Sequence, residues 1–351
     1  MDYDVIVIGA GPAGCQAAIS AAHQMRHVLL LNAGLIRSRK GRAFWSKSVE
    51  IEDVPVFPGV TGPALRKELD GWIDAHPITE FTIAGEKRKS GIVHQAGVVL
   101  KVTRKDDGTF ELETSTAALK QGVEPTIEHF AGKALVIAAG FEDVWPDIET
   151  NSEAESTFKQ HQMVFRYAGN KRGWHVCVRC DGHLHVDEHL CVLAVGDEAY
   201  EITIGAQDFT DKITIMTNGR PHGLSDEILE KVKARNIDIV EEKIVRHIGQ
   251  KTELLALELE DGRELAFSGF LVDEGLTPNT AFLDGWDYQK DDEGLIVVDD
   301  DRQMLDGTGE KIPGLFAAGD LLSGERNLIA TSFALGQDAG LAASDSLRTW
   351  D

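Results

Sequence analysis

Residues 4–32 constrain the fold more than any other stretch of the chain. Asp4-Val-Ile-Val-Ile8 is a short β-branched run suited to a buried parallel strand. Gly9-Ala-Gly11-Pro12-Ala13-Gly14 follows, then a helix of small residues, CQAAISAAHQM, then a second apolar run, HVLLLN, ending at Asn32. Strand, G-x-G-x-x-G, helix and strand within about thirty residues predict a dinucleotide-binding unit. The glycines permit the tight turn, let backbone approach a pyrophosphate, and let the helix pack on the sheet. The phosphates then rest on the helix N-terminus. The acid that usually closes the second strand and holds ribose hydroxyls is replaced by Asn32, whose amide oxygen still accepts a hydrogen bond but carries no charge.

A second unit of this type begins at Leu190, in LCVLAVGDEAYEITIGAQDF. Aligned on the first, its fingerprint positions are Ala194, Gly196 and Ala199, so a methyl group stands where backbone should approach pyrophosphate. Its next strand, ITIMTNG, ends at Gly219 and is followed by Arg220 alone. Between the units, a helix is expected from about Pro63. Strands are expected near Gly97–Val102 and Phe110–Glu113, with a turn at Asp106-Asp-Gly, and residues 114–129 read as a long hairpin excursion. Lys133–Gly140 reads as a strand ending in the small residues Ala139 and Gly140. Further strands are expected around Ile237–Val240, Leu254–Leu259 and Phe270–Val272. Near the end, GLFAAGD is a buried strand running into Gly319-Asp320, and ATSFALGQDAGLAASDSL forms a final helix.

The length of 351 residues suits two domains. Lysine plus arginine is 35 against 58 acids, a formal charge of −23 that opposes nucleic acid and anionic membranes as partners. The start, MDYDVIVIGAG, has no cationic segment before its apolar run, and no window approaches the roughly eighteen apolar residues of a membrane span, so a cytoplasmic protein is expected. Within the acidic chain, residues 33–49 invert the sign: Arg37, Arg39, Lys40, Arg42 and Lys47 stand there with no acid. That run is either a solvated loop or a docking patch for an acidic partner or for extra phosphates.

There are four cysteines: Cys15, Cys177, Cys180 and Cys191. Cys15, on the first helix, and Cys191, opening a strand, read as buried core thiols. Cys177 and Cys180 lie in VCVRCDGH, and C-x-x-C in a reducing compartment reads first as redox. Zinc would need two more soft ligands; His175, His183, His185 and His189 crowd the segment, but their spacing fits no zinc finger cleanly. Asp181 follows Cys180 directly and is either a turn residue or an acid/base. Arg179, between the cysteines, could lower a thiol pKa or point to solvent. His175 and His183 flank the motif and read either as exposed polar residues or as alternative proton carriers.

Four pieces in this order resemble the low-molecular-weight thioredoxin reductases: the N-terminal G-x-G-x-x-G, the strand into Ala-Ala-Gly140, C-x-x-C-D-G, and the late F-A-A-G-D. The resemblance covers essentially the whole chain. It implies an α/β protein of two Rossmann-like nucleotide-binding domains, the second inserted in the first. The FAD-binding domain would be residues 1–144 and 269–351, and the inserted redox-disulfide domain, a degenerate NADPH-type fold, residues 145–268. FAD would be held by Gly9, Gly11, Pro12, Ala13, Gly14 and Asn32, by Ala139 and Gly140, and by Gly319 and Asp320 near the ribityl–phosphate region. The final helix, starting at Ile329 and Ala330, would face the flavin's pyrimidine end, where its positive dipole end stabilises a reduced anion. Cys180 would face the flavin, Cys177 would attack the partner's disulfide, and Asp181 would be the acid/base. A homodimer and a thioredoxin-like protein partner are usual for the family.

The departures point to an NADPH-independent branch. The family's NADPH enzymes carry His-Arg-Arg and a later Arg after the second strand of the inserted domain, cations that hold the 2′-phosphate. Here the matching segment is TNGRPHG. The chain therefore resembles ferredoxin-dependent flavin thioredoxin reductases, the deeply rooted cyanobacterial forms, and a related diflavin-linked branch that places a second FAD where the nicotinamide cofactor would sit. The Arg37–Lys47 run is the patch that would meet an acidic ferredoxin. Trp350 either stacks on the isoalloxazine or anchors the end of the last helix. Three further readings stay open: a dithiol oxidase of the same fold that hands electrons to oxygen, a flavin-binding sensing module with a vestigial cysteine pair, and an NADPH-thioredoxin reductase with unorthodox nucleotide binding.

Overall fold

The computed structural model describes residues 2–36, 49–55, 57, 59–117, 124–148 and 166–348. The helices among them are α1 (Pro12–His23), α2 (Gly62–Asp74), α3 (Val178–Asp181), α4 (Asp197–Ala206), α5 (Asp226–Ala234) and α6 (Ile329–Asp345). None is long and apolar enough to cross a membrane. The chain divides into two units. The first is formed by Met1–Arg42, Leu65–Glu142 and Thr277–Asp351, the second by Ala43–Ala64 and Asp143–Leu276.

The first unit is built around β1 (Asp2–Ile8), which pairs in parallel with β2 (His27–Asn32) on one side and with β7 (Ile127–Ile137) on the other. Parallel strands covered on both faces need no polar alternation, and every residue of β2 is buried. β3 (Thr79–Ile83), β4 (Glu86–Ala96), β5 (Val98–Arg104), β6 (Phe110–Ser115), β18 (Gln303–Leu305) and β19 (Lys311–Ala317) complete the sheet. Its main order is β18-β19-β7-β1-β2-β4-β3, with β5 and β6 joined on through β7. α1 and α6 lie directly against each other. A Cβ on Gly336 would come within 2.1 Å of the Ala13 carbonyl oxygen, and one on Gly340 within 2.4 Å of that of Ala17. Only glycine allows this approach. The seam draws the start of α6 and the Gly319 turn towards α1; a Cβ on Gly319 would lie 2.8 Å from that of Ala13.

The second unit has its own parallel sheet, in the order β12 (Asp238–Val240), β11 (Ile213–Met216), β10 (Leu190–Leu193), β16 (Gly269–Val272), β9 (Trp174–His175). An antiparallel sheet of β13 (Ile244–Gln250), β14 (Glu253–Leu259) and β15 (Glu264–Ala266) packs in the same unit. Its core gathers Ile148, Tyr167, Trp174, Cys191, Leu193, Phe267 and Phe270. Two short strands, β8 (Phe141–Asp143) and β17 (Leu276–Pro278), pair with each other where the chain leaves and re-enters the first unit. The α/β class and the Rossmann-like parallel order are those expected from the sequence.

Two elements differ from expectation. β7 begins at Ile127, well before Lys133, because its first half pairs antiparallel with β6 while its second half joins β1. β4 carries the charged stretch Glu86-Lys-Arg-Lys89 and has no strand signature in the sequence, yet it pairs with β2 from His27↔Gly91 to Asn32↔Ala96. Only its middle, Ser90–Ile92, is buried. Its polar half is held by the hairpin to β3 rather than by the core.

Candidate functional site

The redox segment begins on a buried anchor. Trp174 is fully buried, its indole N–H donates to His247 Nε2 at 3.1 Å, and its ring stands edge-on to that imidazole. Because an indole only donates, His247 Nε2 is a lone pair and the ring is neutral; burial lowers its pKa from 6.5 to about 4. The chain then turns at Val176 into the short helix α3, with Cys177 as its N-cap. Cys177 and Cys180 are joined as a disulfide. The Cys180 N–H donates to Cys177 Sγ at 3.2 Å, and the Asp181 N–H to the Cys177 carbonyl at 3.2 Å. Gly182 follows because Phe209 leaves no room: a Cβ would lie 2.4 Å from its ring.

Asp181 is buried at 6 % exposure, and its carboxylate meets His175 Nδ1 at 2.9 Å. His175 is not the exposed residue expected; it is 2 % exposed, held between Asp181 and the Lys171 carbonyl. The reason is local: β9 points His175 inward beside Trp174, and six residues of tight turn bring Asp181 back to it. His185, buried against Gly269, meets Glu188 at 2.9 Å. Burial lowers the His185 pKa, and the Glu188 carboxylate partly opposes this. His183 is half-exposed and pairs with Glu52 at 3.0 Å, while His189 bonds Thr214. Arg179 is exposed. Among the described residues no group of three or more His, Cys, Asp and Glu side chains is arranged to hold a metal. Cys15 and Cys191 are core thiols; burial pushes Cys15 up to about 12 and also raises Cys191.

In the first unit, the turn Gly9–Gly14 is bare. Gly9 adopts φ +103°, and a Cβ there would sit 2.2 Å from the Ala138 carbonyl oxygen. A Cβ on Gly14 would strike Gly9, whereas one on Gly11 would meet nothing within 4 Å. Pro12 opens α1 and Ala13 follows, both buried. α1 has no side-chain cap and no acid in its first turn, and neither has α6, which opens at Ile329 and Ala330. Neither first turn thus carries an acid of its own, which suits an anion. Arg66, unsignalled in the sequence, donates to the Ala10 carbonyl within the turn and pairs with Asp70.

Asn32 ends β2, buried; its Oδ1 accepts from Gly34 N at 3.0 Å and its Nδ2 meets His94 Nε2 at 3.1 Å. An amide oxygen has a second lone pair left for a ribose hydroxyl. Burial lowers the His94 pKa, while the Asp70 carboxylate and the Arg66 guanidinium act on it in opposite directions. Asn279 holds the Ala139–Gly140 turn by bonds to both carbonyls. Asp320 accepts from Ser332 Oγ at 3.0 Å, which ties Gly319-Asp320 to the first turns of α6. These residues suit a flavin dinucleotide: the bare Gly11, two acid-free helix starts, and polar groups at the strand ends.

The matching turn of the second unit is closed by its own chain. Gly196 N, which would face a pyrophosphate, donates to the His222 carbonyl at 2.8 Å. Gly223 lies over the same turn, within 3.5 Å of Gly196 N when given a Cβ, and a Cβ on Gly196 itself would lie 3.3 Å from the Glu198 carboxylate. Asp197 and Glu198 fill the first turn of α4. Arg220 is tied to Glu274, whose pKa burial raises and Arg220 opposes. Two candidates named from the sequence fall elsewhere: Trp350 and the basic run Arg37–Lys47 lie outside the described residues.

The family model described as "Pyridine nucleotide-disulphide oxidoreductase" matches residues 3–337. The chain is 26 % identical to an NADH dehydrogenase of Bacillus subtilis (strain 168) over 98 % of its own length, spanning 58 % of that protein. It is 28 % identical to a thioredoxin reductase of Listeria monocytogenes, over 98 % of this chain and 92 % of the relative. In fold it is similar to the thioredoxin reductase of Streptococcus pyogenes MGAS5005, with TM-score 0.75 and 22 % identity, covering 99 % of this chain and 98 % of that one.

Proposed function

The chain belongs to the pyridine nucleotide-disulphide oxidoreductase family and is an enzyme of the flavin-dependent disulfide oxidoreductase class, and from that premise we propose its reaction. Cys177–Cys180 passes an electron pair to the disulfide of a thioredoxin-like protein, with FAD in the first unit and a donor other than NADPH. FAD, when bound, supplies the electron pair that opens the disulfide. Gly9, Gly11, Pro12, Ala13 and Gly14 would hold its pyrophosphate, Asn32 its ribose, and Ala139, Gly140, Gly319, Asp320, Ile329 and Ala330 its remainder. Trp350 would stack against its ring. Once reduced, Cys177 attacks as thiolate, because the thiol is not the nucleophile. The mixed disulfide is resolved by Cys180, and Asp181 gives a proton to the leaving thiolate. On this reading the first unit is the FAD domain and the second the redox-disulfide domain.

The observation that carries the reading is a closed C-x-x-C disulfide beside a buried carboxylate, in a unit whose nucleotide turn is plugged. The plug disfavours NADPH and equally a second FAD in that unit. A reduced ferredoxin docking on Arg37–Lys47 is then the donor that fits. The test is anaerobic flavin bleaching by NADPH, NADH and reduced ferredoxin, followed by thioredoxin reduction. Ferredoxin alone should bleach one FAD per chain, more slowly when Arg39, Lys40 and Arg42 are reversed in charge. Rapid bleaching by NADPH would overturn the donor assignment and leave the thiol chemistry standing. Oxygen uptake with a small dithiol, without thioredoxin reduction, would favour an oxidase instead. Cytoplasmic location and a homodimer complete the proposal, the latter checked by sedimentation of the native protein.

A further inference from the structure

Four titratable side chains of the second unit form a continuous chain beside the redox helix. The Asp181 carboxylate meets His175 Nδ1 at 2.9 Å. His175 Nε2 lies 3.1 Å from the Lys171 carbonyl and 3.4 Å from His185 Nε2. His185 Nδ1 meets the Glu188 carboxylate at 2.9 Å. The side chains of His175 and His185 are 1 % and 2 % exposed, that of Asp181 9 %, and that of Glu188 38 %. The chain is thus buried at the cysteine end and reaches water at Glu188.

Counting protons fixes its state. Two ionised carboxylates and two neutral imidazoles carry two protons between them. The contacts require three. One must lie between Asp181 and His175, and one between His185 and Glu188. The third must sit on His175 Nε2, because the Lys171 carbonyl can only accept. With two protons, a buried imidazole lone pair would face a carbonyl or a carboxylate oxygen. We propose that the cluster stores a third proton on the Asp181–His175 bond, which Asp181 spends on a leaving thiolate, and that His185 and Glu188 hold the His175 ring in place for this by facing its Nε2–H. This deepens the disulfide-reductase reading and rests on it. Burial opposes a charge on His185, so its Nε2 lone pair faces the His175 Nε2–H and its Nδ1–H faces Glu188.

The step balances. The Cys177 thiolate attacks R–S–S–R′; the Cys177–S–R bond forms, the S–S bond breaks, and R′–S⁻ leaves as R′–SH with the proton of Asp181. Cys180 then attacks Cys177, closes the pair, and passes its own thiol proton to R–S⁻. The dithiol is oxidised, the substrate disulfide is reduced, and Asp181, left ionised, takes up a proton from solvent before the next turnover. In this scheme His175 and His185 are positioning residues that never touch substrate.

The test uses the holoprotein, reduced with dithiothreitol and freed of it, in single-turnover exchange with two disulfides. Bis(2-hydroxyethyl) disulfide releases a basic thiolate that needs a proton, whereas 5,5′-dithiobis(2-nitrobenzoate) releases a thiolate that needs none. In His175→Asn and His185→Gln the ratio of the first rate to the second should fall about 10- to 100-fold, within the scale of general acid catalysis. Glu188→Gln should lower it by about 3- to 10-fold. A ratio unchanged in both histidine variants would overturn the proposal. A wild-type protein that reduces neither disulfide would instead sink the disulfide-exchange reading itself. Should a variant fail to fold, ¹⁵N spectra of histidine-labelled wild type decide: His175 Nε2 should carry a proton at neutral pH, and a bare Nε2 would overturn the store.

Discussion

The turn at Gly9–Gly14 and the turn at Ala194–Ala199 occupy the same place in the same kind of strand–helix–strand frame, and they end in opposite states. At the first, backbone is exposed, the helix start carries no acid, and space is open beyond Gly11. At the second, the His222 carbonyl takes the Gly196 N–H and Glu198 brings a carboxylate to the helix start. The difference lies less in the glycines than in what the following strand does. After β11 the backbone reverses through left-handed residues, Asn218 at φ +52° and Gly219 at +82°, and folds residues 222–223 over the turn. A nucleotide frame can be kept as scaffold while its ligand face is given to the protein's own chain, leaving the second unit to carry thiols instead.

The largest expected effect breaks this contrast directly. Gly9→Ala places a methyl 2.2 Å from the Ala138 carbonyl and should yield protein without flavin. Gly196→Ala meets only the flexible end of Glu198 at 3.3 Å, costs roughly 1–3 kcal/mol because φ +73° with ψ −171° is essentially reserved for glycine, and should keep a full complement of flavin. The absorbance ratio of flavin to protein reads both, and flavin loss in Gly196→Ala would erase the distinction between the turns.

Acid separates the units next. The folded His247 pKa, about 4, lies below its ordinary 6.5. The unfolded chain therefore takes up this proton first, and stability falls as pH drops from 6.5 to about 4, then levels off. The loss is about 3 kcal/mol. Denaturant melts followed by Trp174 emission should show it, and His247→Gln, which still accepts from Trp174, should remove the slope. A slope of equal size in the variant would mean that other groups of the unit set it.

Ligand linkage gives a comparable contrast. FAD at 100 times its dissociation constant should stabilise the apoprotein by about 2.7 kcal/mol, whereas millimolar NADPH should leave the melting temperature within about 1 °C, since the second turn offers no free N–H at Gly196. The smallest effect is expected at Arg179. Its exposed guanidinium is screened by water, so Arg179→Ala should slow thiol exchange by only about twofold, far less than changes at His175.

What can be seen in the sequence follows from local rules. β1, the glycine turn, α1 and β2 are legible because apolar continuity and glycine spacing are set by neighbours a few residues away. The C-x-x-C pair is legible for the same reason. β4 is not, since its charged first half takes its place only by pairing with β3 and β2. The burial of His175 is hidden because a two-residue strand gives no burial pattern, and its partner stands six residues on, at no helical or strand spacing. Arg66 and His94 carry no motif, yet they stand at the first turn and at Asn32. The plug is half legible: TNGRPHG shows the missing cations but not the reversal that seats His222 on Gly196.

The glycine seam between α1 and α6 has a consequence for biosynthesis. The Gly9–Gly14 turn leaves the ribosome before β19 and α6, but β19 must join β7 and Gly336 and Gly340 must seat on α1 before the parallel core around it is complete. Residues 143–276 of the second unit are made in between. Domains tend to fold as units while the chain is still being made, so the thiol-bearing unit can mature while the first half of the other unit waits for its closing helix. If the first unit holds FAD, as proposed, flavin capture becomes a late event, and nascent chains stalled before Ile329 should carry a formed C-x-x-C segment and no flavin.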